Sequence, residues 1–235
     1  MGSETKGVIL TGVREIDAKL GGGIPAGSLG LIEGQADAGK SVLCQHLAYG
    51  ALAGNCSVAY YTTENNVKSL ISQMDSLALN TLDHFLTDRL RIYPLYFSSY
   101  IKDTETPLLI LDDHFSTLPS QFKLIIVDSV TLLMAHSSSM ATVDFFWTCK
   151  KLCSEGRSVL LVVHSYAFEK ETLSRSSSMC DVHLKLKLEQ VGDRMIKAME
   201  VLKVRGAQRP TGDVVSFEIE PKIGMRVIPF ARAKV

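Results

Sequence analysis

Apolar positions along the chain fall into two rhythms. Residues 28–33, 57–62, 123–128 and 158–164 are nearly unbroken apolar runs, the pattern of strands buried on both faces, and residues 90–93 form a shorter one. Between them the apolar spacing is helical. Residues 41–49 predict one helix, and Val67, Leu70, Ile71, Met74 and Leu77 predict another, with Asn65 and Asn66 placed to cap it. Pro107 opens a third helix, with Leu108, Leu109 and Leu111 expected on its inner side, and residues 140–155 form a fourth that Gly156 terminates. A short helix within residues 11–20 leads through a glycine-rich turn at 21–27 into the first buried strand. Buried strands alternating with helices predict a parallel sheet covered on both faces.

From Asp181 the period changes to two. Residues 183–189, 194–204, 214–220 and 225–229 alternate, with turns expected at Val191-Gly192-Asp193 and at 221–224. This predicts an antiparallel meander at one edge of a mostly parallel sheet. With no internal repeat, long linker or low-complexity tract, residues 1–235 are expected to form one α/β domain.

Charge and cysteine content narrow the classes. Formal net charge is zero, so no broad field draws the chain to nucleic acid or acidic lipid. The five cysteines are odd in number and scattered, which suits reduced, mostly buried thiols in a reducing cytoplasm. No segment reads as a signal peptide, and the apolar runs are too short to cross a bilayer.

The chemistry concentrates at Gly34-Gln35-Ala36-Asp37-Ala38-Gly39-Lys40-Ser41, followed by Val42, which fits G-x-x-x-x-G-K-[ST] between a strand and a helix. Gly34 and Gly39 admit backbone angles and close approaches that a Cβ blocks. Lys40 supplies charge to the β- and γ-phosphates, Ser41 offers a hydroxyl to Mg²⁺, and the helix aims its positive end at the same point. A nucleoside triphosphate is the expected ligand. Asp128, closing an apolar strand, is the expected Walker B acid, holding the Mg²⁺ shell through water. Glu64 follows the second core strand and emerges where open parallel sheets bind ligands, so it is a candidate to orient the attacking water. His164 ends the strand beside that of Asp128 and is a candidate γ-phosphate sensor, the alternative being a hydrogen-bonded structural histidine. Lys203 and Arg205 lie two apart on a strand and share a face. On their own they read as a solvated face; in a ring they can reach a neighbour's γ-phosphate.

With these residues placed, the chain resembles the RecA-like P-loop ATPases of the KaiC group, and within it the ATPases of the archaeal swimming motor, the archaellum. The resemblance spans nearly the whole length. It rests on residues 11–17, 22–27, the P-loop, 61–70, 126–129, Lys203-Val204-Arg205-Gly206 and 216–229. It implies a RecA/KaiC-like fold and an ATP- and Mg²⁺-binding regulatory subunit that forms a ring, a homo-hexamer, in the cytoplasm beneath the membrane. The implied partners are the secretion-type motor ATPase, its polytopic membrane platform protein and surrounding scaffold ring proteins, with no nucleic acid. KaiC-type domains commonly carry two adjacent glutamates after the second strand, whereas here Asn65 follows Glu64. That departure implies weak or partner-dependent hydrolysis, with ATP acting as a structural or switching ligand.

Two other classes share the P-loop. A RecA- or RadB-like DNA-binding recombinase has to seat DNA on the loops at 129–140 and 165–180. The first offers only His136, and the second sets Lys170 and Arg175 against Glu169 and Glu171. A GTPase ordinarily carries an Asn-Lys-x-Asp segment, which is absent, and nothing marks out the lid or acceptor pocket of a small-molecule kinase.

Overall fold

The computed structural model describes residues 7–96, 107–191 and 194–228. In chain order the elements are β1 (Val8–Ile9), α1 (Arg14–Lys19), β2 (Ile24–Pro25), β3 (Leu29–Gly34), α2 (Lys40–Ala53), β4 (Ser57–Thr62), α3 (Val67–Ser76), α4 (Leu82–Leu86) and β5 (Leu90–Pro94). They continue with α5 (Pro107–Thr117), β6 (Phe122–Asp128), α6 (Thr131–Ala135), α7 (Ser139–Ser154), β7 (Ser158–His164), α8 (Lys170–Met179), β8 (Val182–Val191), β9 (Arg194–Val204), β10 (Val214–Glu220) and β11 (Gly224–Ile228). The fold class is the expected α/β one. A nine-stranded sheet runs β11-β10-β9-β8-β3-β7-β6-β4-β5. Neighbours from β8 to β5 are parallel, and β8 to β11 pair antiparallel.

Strand parity sorts the side chains into two cores. Ile32, Tyr60, Leu124, Ile126, Leu160 and Val162 face α2 and α3, while Leu31, Tyr61, Ile125, Val127, Leu161 and Val163 face α5, α6 and α7. Counting on by twos puts Gly34, Thr62, Asp128 and His164 on the α2 face at the carboxyl ends of four strands. The order β3-β7-β6-β4 sets them side by side. This one parity delivers the site.

Several expectations change in detail. Asn66 alone caps α3, accepting from Ser69 N at 2.8 Å while Ser69 Oγ accepts from Asn66 N at 3.0 Å. In α5 the inner face is Leu108, Leu111 and Phe115, and Leu109 points out, 49% exposed. Leu108, Leu109 and Leu111 cannot all share one inner face at 100° per residue. The segments read as loops at 129–140 and 165–180 contain α6, the start of α7, and α8. The five residues of α6 are too few to show a helical period, and the serine-rich sequence of α8 shows little apolar periodicity. The expected turn at 192–193 and Pro229 at the end of the last strand lie outside the described residues. The thiols are free, and all but Cys56 are buried.

His46 ties the sheet's far edge to the rest. Its Nε2 accepts from Met225 N at 3.0 Å and its Nδ1 donates to Thr11 O at 3.1 Å, so only the neutral ring satisfies both. Burial lowers its pKa, opposed by the Thr11 carbonyl and Asp17. A histidine kept neutral contributes stability above its unfolded pKa of about 6.5, and loses it as pH falls below that value. His46→Gln is therefore expected to be most destabilising near pH 7.5. Its stability deficit relative to wild type, read from urea unfolding, should shrink by about 1 kcal/mol at pH 5.5. A deficit that does not change with pH contradicts this role.

Candidate functional site

The P-loop turns between β3 and α2. Gly39 sits in the left-handed region at φ 95° and caps α2 with its backbone, and Asp37 shares that region at φ 58°. The two glycines answer different constraints. A Cβ on Gly39 meets the Phe217 ring at 3.1 Å, whereas one on Gly34 meets the Leu186 carbonyl oxygen at 2.4 Å, so Gly34 is required by packing against β8.

Lys40 opens α2 with only 5% of its surface exposed. Its ammonium donates to Gln35 O at 2.5 Å and approaches His164 Nδ1 at 3.5 Å. Burial lowers its pKa against the attraction of Asp128 and Glu64. Asp128 is buried on the same face, accepting from the Tyr60 hydroxyl at 2.8 Å and hydrogen-bonded to Ser41. Burial raises its pKa, opposed first by the Tyr60 and Ser41 hydrogen bonds. Sequence reading passed over Tyr60; its signal is position, two residues before Thr62 on the α2 face of β4.

Glu64 is held by its backbone. Thr62 Oγ1 accepts from the N–H groups of Glu64 at 3.3 Å and Asn65 at 3.1 Å, and Thr63 Oγ1 accepts from Ser129 N at 3.1 Å. This ties the Glu64 turn to the end of β6, where the Asp128–Ser129 peptide is cis. The Glu64 side chain is 62% exposed and its Oε1 stands 3.7 Å from His164 Nε2, beyond hydrogen-bond length. Burial and the Lys40 charge lower the His164 pKa. Since Lys40 only donates, the neutral ring turns its lone pair to Lys40 and its N–H to Glu64. His164 thus stands between Lys40, 3.5 Å away, and the exposed Glu64 carboxylate, 3.7 Å away. Asn65 does not join them: its Oδ1 accepts from Ser69 Oγ at 3.0 Å.

A cavity of about 550 Å³ lies over the P-loop, with Lys40, Ser41, Glu64 and His164 on one side. Its far wall is Lys197 and Ile219, brought from the meander of the same chain, and sequence reading missed both. Register explains the wall: Gly34 pairs with Leu186, and Lys197 pairs with Leu188 just beyond it. Lys203 pairs with His183, which pairs with Leu31, so the Lys203-Arg205 pair lies at the opposite end of β9, about 20 Å away. There Lys203 donates to Ser177 O at 2.5 Å, and Arg205, 60% exposed, is 3.9 Å from Asp181. Beneath the loop, burial opposes ionisation of Glu33, but His183 and Lys185 outweigh it and hold the carboxyl at about 2. The Lys185 ammonium is 2.7 Å from it.

The arrangement fits a triphosphate. A buried ammonium and a helix N-terminus converge on a cradle that a Cβ on Gly39 would invade, beside a carboxylate suited to a hydrated cation. Among the described residues no cluster of three or more His, Cys, Asp or Glu could hold a metal ion, and no helix is long and apolar enough to cross a membrane.

Comparison with known proteins agrees with this geometry. The sequence profile of the KaiC ATPase family matches residues 9–232. The archaeal flagellar ATP-binding protein FlaH of Methanocaldococcus jannaschii is 31% identical over 91% of this chain and 91% of its own length. FlaH of Sulfolobus acidocaldarius is 29% identical over 97% of this chain and 99% of its own. The crystal structure of the flagellar accessory protein FlaH from M. jannaschii superposes with a TM-score of 0.85 at 27% identity, covering 95% of this chain and 99% of that one. A shorter match, 33% identical over 53% of this chain and 37% of the relative, is to the DNA repair protein RAD51 of Mycosarcoma maydis. Full-length agreement in profile, sequence and structure decides the matter: the chain belongs to the KaiC ATPase family, within its FlaH branch.

Proposed function

We propose that the protein is an ATP-binding regulatory subunit of the archaeal flagellum, a ring component gated by nucleotide whose own hydrolysis is weak or depends on partners. The observation that carries this reading is the buried Lys40 at the α2 N-terminus, paired with a single exposed carboxylate, Glu64, while Asn65 is committed to Ser69. The names of the FlaH relatives supply the flagellar context.

The residues divide the work. The N–H groups of residues 34–42 cradle the α- and β-phosphates, and Lys40 reaches the β- and γ-phosphates. Ser41 and, through water, Asp128 would hold Mg²⁺, which when bound neutralises charge on the phosphates. Glu64 orients water, and His164 relays the state of Lys40 to it. With one carboxylate at this turn, proton removal from water is poorly supported, which favours occupancy over turnover. Lys203 and Arg205 face away from their own cavity, so in a ring they serve a neighbour's γ-phosphate and make closure depend on ATP. The proposed setting is the cytoplasmic face of the membrane, with the secretion-type motor ATPase, the membrane platform protein and the scaffold ring proteins as neighbours, and a homo-hexamer as the ring.

Lys40→Ala is expected to weaken ATP binding by about 100-fold or more in calorimetric titration, through loss of a charge-assisted hydrogen bond and its Coulomb attraction. Binding within a few-fold of wild type refutes the phosphate assignment. Arg205→Ala is expected to bind ATP normally yet fail to assemble in sedimentation with ATP and Mg²⁺. Assembly equal to wild type removes the finger supplied in trans.

A further inference from the structure

Charged groups from three elements meet just before β8. Asp181, 20% exposed, lies beside the Lys150 ammonium of α7 and beside Lys203 and Arg205 at the end of β9. Its carboxylate is largely committed. Both oxygens accept from Lys150 Nζ at 2.9 Å, and Oδ2 also accepts from Leu29 N at 3.1 Å. Arg205 is tethered to the same residue by its main chain, its N–H donating to Asp181 O at 2.9 Å. Yet its guanidinium stands 3.9 Å from Asp181 Oδ1, beyond hydrogen-bond length. That guanidinium is 60% exposed and makes no side-chain hydrogen bond among the described residues. A carboxylate and a guanidinium held this close ordinarily close into a two-pronged pair, and here a movement of about 1 Å suffices. Something keeps them apart.

We propose that Lys150 is a positioning residue for the finger: by occupying Asp181 it leaves the Arg205 guanidinium free for a phosphate of the neighbouring protomer. The inference rests on the ring reading above, in which Arg205 acts in trans. Two cations compete here for one acid. The Lys150 side chain is 32% exposed and that of Arg205 60%, so water screens the Lys150 pair less and Lys150 holds the carboxylate more firmly. Lys203 is committed elsewhere, donating to Ser177 O at 2.5 Å. Without the Lys150 charge, Arg205 is therefore the cation that closes on Asp181. A guanidinium folded onto that carboxylate is turned back along its own chain and neutralised, and a neighbour's phosphate gains little from it. With Lys150 in place, the three cations around Asp181 keep a surplus of positive charge for an anion.

The test is sedimentation of the full chain in Mg²⁺, with and without ATP over a range of protein concentrations, with ATP binding followed by calorimetry. Lys150→Met keeps the aliphatic stem and removes the charge. It is expected to bind ATP normally and to raise the protein concentration at half-assembly by about fivefold, the value of one partly exposed ion pair. Asp181→Asn keeps an acceptor for Leu29 N and removes the competing charge, so it should assemble as wild type does. Lys150→Met combined with Asp181→Asn should recover wild-type assembly as well. That recovery separates positioning from mere support, because the double variant lacks the whole ion pair and a structural Lys150 predicts no gain over Lys150→Met. Wild-type assembly by Lys150→Met, impaired assembly by Asp181→Asn, or no recovery in the double variant overturns the inference and leaves the finger standing. Arg205→Ala that assembles like wild type, or wild type that never assembles with ATP, overturns the ring reading, and this inference with it.

Discussion

A buried ammonium needs anions, and among the described residues Lys40 has none in contact. It sits at the positive end of α2, nearly sealed from water, with a backbone carbonyl and a neutral imidazole as its neighbours. Its charge is stabilised at a distance by Asp128 and Glu64. Every larger feature of the fold contributes to this placement. Strand parity turns Gly34, Thr62, Asp128 and His164 to one face. Inserting β7 between β3 and β6 opens the gap in which His164 meets Lys40. The Thr62 and Thr63 hydroxyls then lash the Glu64 turn to the end of β6.

The parallel half of the sheet and the phosphate loop were legible in the sequence because both are local signals. A run of apolar residues declares a doubly buried strand, and G-x-x-x-x-G-K-S declares its own turn. The cavity's far wall was not legible. Lys197 and Ile219 reach the P-loop through the antiparallel register of β8, β9 and β10, which no local pattern records. The helices α6 and α8 escaped for the opposite reason: α6 is a five-residue run too short to show a helical period, and α8 is serine-rich with little apolar periodicity. Leu109 was misplaced because a cluster of leucines exceeds the width of one helix face. The tie from Asn65 to Ser69 depends on a cap geometry that only the backbone discloses.

The meander links two ends of one strand. Lys197 at one end of β9 lines the chain's own cavity, and Lys203 with Arg205 stands at the other, held by α8 and Asp181. On the proposed reading, a ring places each finger at the next protomer's phosphates, so one rigid strand spans consecutive sites. His46 anchors the outermost strand of the same meander to α2, the helix that the P-loop begins. Nucleotide binding and the geometry of the sheet edge are therefore connected through packed, hydrogen-bonded elements. On the proposed reading, that connection lets the subunit respond to ATP more than it consumes it.

The most direct test is to size the protein by light scattering without nucleotide, with ADP and with ATP plus Mg²⁺, while following phosphate release in the same samples. The account predicts a larger assembly with ATP alone, accompanied by almost no phosphate release. Brisk turnover by a species that never assembles contradicts it.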